Sequence, residues 1–140
     1  MGRSLTDHFL VPVANESDAE ETARRLQELE FDHLTVCHVI EQTPGWPDPL
    51  SVEQANAEAE KSFGAFREFV PDIDTEIRHR SDVVGAIIET AETVGASAIA
   101  FRPRKGNRII RLLSGDRSLS LVTSADRPVI ALPPTAEDEE

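Results

Sequence analysis

The residues of this chain that could do chemistry gather in its last third. Arg102, Arg104, Lys105, Arg108, Arg111 and Arg117 stand there against one acid, Asp116, for a local charge of +5. The whole chain carries −12, so everything else carries −17. Cations at this density bind anions. Guanidinium groups offer forked donors to phosphate or carboxylate, and ammonium acts as a point charge. Gly106 and Asn107 supply a tight turn inside the run. Two readings stand side by side. The run holds a small anionic ligand, or its cations pair with acidic residues on neighbouring helices or on a partner subunit.

Other candidates are weaker. Cys37 and His38 are adjacent in a stretch that reads as a strand, so alternation puts them on opposite faces and they cannot share a metal. His38 reads as a core histidine with its hydrogen bonds satisfied. His8, His33 and His79 lack partners at metal-ligand spacing. The chain has no nucleophile elbow, P-loop or Cys-x-x-Cys pair. No two carboxylates are spaced as an acid and a base.

The elements that must position the basic run alternate between two periodicities. Residues 8–13, 34–40, 98–101 and 128–132 read as strands, rich in apolar and β-branched side chains. Ile73, Thr75, Ile77 and His79 alternate with charged residues, the pattern of a half-solvated edge strand. Helices fall between them. The first starts at Ser17 or Asp18, with Ala19, Thr22, Ala23, Leu26 and Leu29 on one face. The second opens on a capping box from Ser51 to Gln54. The third runs from Ser81 or Asp82 to a stop at Gly95. The fourth spans about ten residues from near Asp116 to Ala125. Residues 41–50, with three prolines, form an irregular connection, in which Trp46 either covers a cleft or packs on the second helix.

Strands separated by helices imply right-handed crossovers and a mainly parallel sheet covered on both faces. Ligands bind such sheets beyond the carboxyl ends of the strands, where strand order reverses. Val13, Ala14, Asn15 and Arg102 stand at two of those ends.

Composition sets further bounds. At 140 residues the chain is one domain. It has no long apolar run, and its first residues lead into a strand without an apolar leader, so a cytoplasmic location with no membrane contact is expected. Cys37 is the one cysteine, which excludes an internal disulfide framework. The acidic balance argues against wide nucleic-acid contact. Only two of the 14 cations are lysines. Many carboxylates with few lysines is the balance of a protein kept hydrated in very salty cytoplasm, so a halophilic source is expected.

At this level of detail the chain resembles the universal stress proteins. Residues 9–13 (FLVPV) are similar to the family's first strand and residues 35–39 (TVCHV) to its second. Residues 82–101 resemble its third helix and fourth strand. Gly115 and residues 127–131 (RPVIA) resemble the close of its pattern. The resemblance implies a universal stress protein domain over residues 1–133, followed by an acidic, disordered tail over 134–140. It implies an α/β, doubly wound, flavodoxin-like fold of the adenine nucleotide alpha hydrolase-like kind, with five parallel strands in the order 3-2-1-4-5. It also implies a homodimer built on the last strand, through Pro128, Val129, Ile130, Ala131 and Leu132.

In nucleotide-binding members an aspartate follows the first strand, and a loop with two glycines, then a glycine and a hydroxyl residue, wraps the phosphates. Here Ala14 takes the aspartate position. Arg102 and Lys105 take the first two glycine positions. Gly115 matches the third, and Asp116 replaces the hydroxyl residue. Arg or Lys where a left-handed conformation is required costs about 1–2 kcal/mol. A carboxylate at position 116 would repel a phosphate about 4 Å away by several kcal/mol at an effective dielectric of about 20.

The expectation is therefore a non-catalytic binding or regulatory module of the stress response that has lost tight ATP binding and works through protein contacts. No cofactor is expected. The alternative is a sensor that takes ATP or another anion on Arg102, Arg104, Lys105 and Arg108. A weak nucleotide hydrolase ranks last, because no base or metal-binding carboxylate is placed for it. A phosphorylated receiver domain is excluded, since Ala14-Asn15 and His79-Arg80 occupy the strand ends where its acids belong.

Overall fold

The structure, a computed structural model, describes residues 4–42, 45, 51–103 and 115–133. Nine elements alternate along the chain: β1 (His8–Pro12), α1 (Glu16–Leu26), β2 (His33–Glu41), α2 (Val52–Arg67), β3 (Asp74–Arg80), α3 (Val83–Val94), β4 (Ala98–Phe101), α4 (Gly115–Ser124) and β5 (Val129–Ala131). All strand pairs are parallel, and the sheet order is β3-β2-β1-β4-β5. This is the doubly wound order that the family resemblance implies.

Period-two alternation divides the apolar residues between two cores. Phe9, Val11, Leu34 and Val36 face α1 and α2, where Ala23, Leu26, Phe63 and Phe66 close the layer. Leu10, Cys37, Val39 and Ile99 face α3 and α4, where Ile87, Ala91 and Leu121 do the same. The central strands are covered on both sides, which is why they read as nearly continuous apolar runs. β3 lies at the sheet edge with its interior residues half-buried, as its alternating charges predict.

The helix ends follow side-chain chemistry. Ser51 and Gln54 form the reciprocal capping box. Asp82 caps α3 by accepting from the Gly85 amide, and Gly95 ends the helix at φ +73°, a conformation that glycine adopts without steric cost. The start of α1 differs from the sequence reading. Asn15, not Ser17 or Asp18, is the cap, because its extended backbone lets Oδ1 accept from the Asp18 amide at 2.8 Å. Asp18 thereby moves inside the helix and turns inward. Leu29 lies beyond the end of α1 and is exposed, so it is not part of that helix face.

Candidate functional site

The site follows from how the chain leaves two neighbouring strands. β1 and β4 pair side by side. After β1 the chain crosses to the α1/α2 face. The helix that follows β4 packs on the opposite face, through Leu121. Strand order reverses between them, so their carboxyl ends flank the crevice where sheets of this type take ligands.

The groups at that crevice are engaged with one another. Asp18, in the first turn of α1, places Oδ1 2.9 Å from Arg102 Nη2. Its Oδ2 accepts from the backbone N–H of Ala14 at 2.8 Å. The Thr22 hydroxyl donates toward Oδ1 at 3.5 Å. Arg102 is 1% exposed and Asp18 3%. Ion pairs this deep lose their solvation, and their Coulomb energy and hydrogen bonds must offset that loss.

The other polar groups at the end of β1 are also used internally. Val13 N–H donates to the Cys37 carbonyl at 2.9 Å. The Val13 carbonyl accepts from His38 Nδ1 at 3.0 Å. Burial pushes the His38 imidazole below its ordinary pKa. The bond to Val13 and the charges of Asp18 and Glu58 oppose that shift. Cys37, on the opposite face, is fully buried, and burial pushes its thiol up to about 12. The two residues pack against opposite cores, as alternation predicts.

Of the sequence-derived site residues, the crevice gathers Val13, Ala14, Asn15 and Arg102. The Arg102 side chain points into the α1 face and meets a carboxylate there. Residues along β4 alternate between faces. Ala98 and Ala100 face α1, Phe101 faces α3, and Arg102 returns to the α1 side. Arg117, in α4, pairs with Glu41 at the end of β2 at 2.7 Å, with both side chains partly exposed. These two cations thus fit the reading in which the run pairs with acids elsewhere in the fold.

Gly115 and Asp116 fall in the first turn of α4, with the Asp116 side chain outside the described set. Arg104, Lys105, Arg108 and Arg111 lie outside the described residues, as do Trp46 and the 134–140 tail.

Asp18 is the residue that sequence reasoning missed, having been taken for a cap. The available signal was its place on the helix stripe with Thr22, Ala19, Ala23 and Leu26. A charge on an apolar stripe requires a buried partner.

A second concavity, of about 470 Å³, lies at the opposite, amino-terminal end of the sheet. Strand register brings His8 beside His33 there, with ring centroids 4.3 Å apart. His33 Nε2 is 2.7 Å from Asp74 Oδ2, and His8 Nε2 is 2.7 Å from the Thr35 hydroxyl. Among the described residues no group of three or more His, Cys, Asp or Glu side chains is arranged to hold a metal ion.

Residues 6–133 match the Universal stress protein family. The chain belongs to that family. No curated protein matches it in sequence. Solved structures share the fold of this universal stress protein domain. One is a universal stress protein from Archaeoglobus fulgidus in complex with dAMP, 19% identical with a TM-score of 0.66, the match covering 93% of this chain and 100% of that one. A second is a universal stress protein in complex with cAMP, 17% identical with a TM-score of 0.63, covering 92% and 98%. A third is UspA from Lactobacillus plantarum, 23% identical with a TM-score of 0.58, covering 94% and 100%. Among the described residues, no helix of this universal stress protein is long and apolar enough to cross a membrane.

Proposed function

We propose that this universal stress protein is a non-catalytic binding or regulatory module of the stress response that has lost tight ATP binding and acts through protein contacts. One observation carries this reading: the buried Asp18–Arg102 ion pair spans the crevice between β1 and β4. A phosphate arriving there meets a carboxylate, and the guanidinium that would attract it is engaged. The neighbouring groups support the same reading. The Val13 N–H and carbonyl and the Ala14 N–H are all bonded within the chain, and Ala14 brings no side-chain acceptor for a nucleoside. Two relatives are solved with dAMP and cAMP, so a nucleotide is the ligand against which this reading is measured.

The same proposal has the protein working as a cytoplasmic homodimer joined along β5, the edge strand opposite β3. The acidic, lysine-poor composition supports a halophilic source.

The second reading is an anion or nucleotide sensor. It rests on the charge density of Arg104, Lys105 and Arg108, which can bind phosphate through side chains without a glycine-rich loop. Calorimetric titration with ATP and Mg²⁺, at low and at molar KCl, separates the two. Absence of heat from a chain shown folded by circular dichroism is the expected result. Micromolar binding in either salt would overturn it in favour of the sensor.

A further inference from the structure

The Asp18 carboxylate sits in a donor set of the kind that holds anions. A backbone N–H from Ala14, a guanidinium from Arg102 and a hydroxyl from Thr22 converge on its two oxygens at 2.8, 2.9 and 3.5 Å. These donors come from three separate places in the chain: the second residue past β1, the second turn of α1 and the residue after β4. The first turn of α1 adds the favourable end of the helix dipole. Donors that converge from three directions onto a buried carboxylate would serve a free carboxylate or phosphate oxygen equally well.

We propose that this is an anion site at the switch point of the sheet whose occupant is the chain's own carboxylate. Asp18 acts as an internal ligand, and its presence decides what the crevice can take. While it is in place, phosphate and carboxylate groups are kept away from Arg102. This deepens the reading of a domain without tight ATP binding, and rests on it. An external anion must displace a tethered one, whose effective concentration at the site is set by the helix that carries it. The donors themselves stay intact, so loss of the Asp18 carboxylate opens the site to a small anion from solution.

A pair that only braces the fold would not distinguish an anion from a neutral molecule of the same shape, and that difference supplies the test. Thermal melts are run on the wild type, Asp18→Ala and Asp18→Ala/Arg102→Leu. Formate is raised through the millimolar range at constant ionic strength, with formamide as the neutral counterpart. Asp18→Ala is expected to melt below the wild type and to regain at least half of the loss in formate, saturably. Formamide restores nothing, and the wild type and double variant show no formate-specific shift. Recovery no greater in formate than in formamide would overturn the proposal. If Asp18→Ala is unfolded in chloride, circular dichroism in formate reads the same result.

Asp18→Asn decides independently, since it keeps the shape and drops the charge. It should melt below the wild type and recover when Arg102→Met is added. An Asn variant as stable as the wild type would overturn the internal-ligand assignment. ATP titration of the wild type tests the parent reading separately. Heat from ATP alongside intact formate rescue removes that reading and keeps the site, whereas absent rescue removes the site whatever ATP does.

Discussion

His38 Nδ1 donates to the carbonyl of Val13 at 3.0 Å, which ties the middle of β2 to the end of β1 beside the crevice. Burial disfavours the imidazolium, so the folded pKa lies below the ordinary 6.5. In the window just below 6.5 the unfolded chain binds a proton at His38 and the native chain does not. Stability from this residue is therefore complete above that window. It falls as pH drops through it and levels off below the folded value. His38→Asn, which offers an amide donor in place of Nδ1–H, should flatten this part of the profile. Urea unfolding of both proteins at about pH 5.5 and about pH 7.5 checks it: the wild type should lose more stability than the variant between the two. Equal losses would show that His38 does not couple to folding.

Two arginines from one basic run should behave differently. Removing one partner of a buried ion pair leaves the other charged and desolvated, so Arg102→Met is expected to cost about 3–5 kcal/mol. Arg117 pairs with Glu41 where both side chains are partly exposed. Arg117→Ala is expected to cost about 1 kcal/mol or less after solvent screening. Denaturant titrations of the two variants measure the difference. Similar losses would mean that burial at Asp18 does not govern the pair.

β5 tests the dimer. Among the described residues it pairs with β4 alone, which leaves its outer edge available to a second copy. Val129 packs toward the α3/α4 core and Ile130 toward the α1/α2 core, while Leu132 is buried. Ala131 is exposed, so Ala131→Glu places charge at the edge without opening either core. Light scattering should then report a monomer that melts cooperatively. A persistent dimer would place the interface elsewhere.

Salt should stabilise the chain. A net charge of −12 on 140 residues repels itself, and KCl screens that repulsion. The screening length falls from about 10 Å at about 0.1 M to about 3 Å at about 1 M. Melting temperature is expected to climb across that range and beyond it. A flat or falling curve would remove the halophilic reading.

The fold was legible because its signals are local. Continuous apolar runs identify strands buried on both faces. Ser51 with Gln54, Asp82 and Gly95 punctuate the helices, and the alternation at Ile73, Thr75, Ile77 and His79 marks an edge strand. Each depends on residues a few positions apart, and chain handedness then leaves few ways to assemble them. The same local logic separates Cys37 from His38.

The candidate site was legible only in part. Sequence alone determined that Val13, Ala14, Asn15 and Arg102 stand at strand ends. Tertiary structure decided what those residues do. Asp18 and Arg102 are 84 positions apart and meet because β1 and β4 are neighbours in the sheet. His8 and His33 have no metal-ligand spacing along the chain, yet parallel register puts their rings in contact. Burial is what turned Arg102 from a loop cation into half of an internal pair. A charge takes its role from the solvent and partners around it, and those are set when distant segments pack.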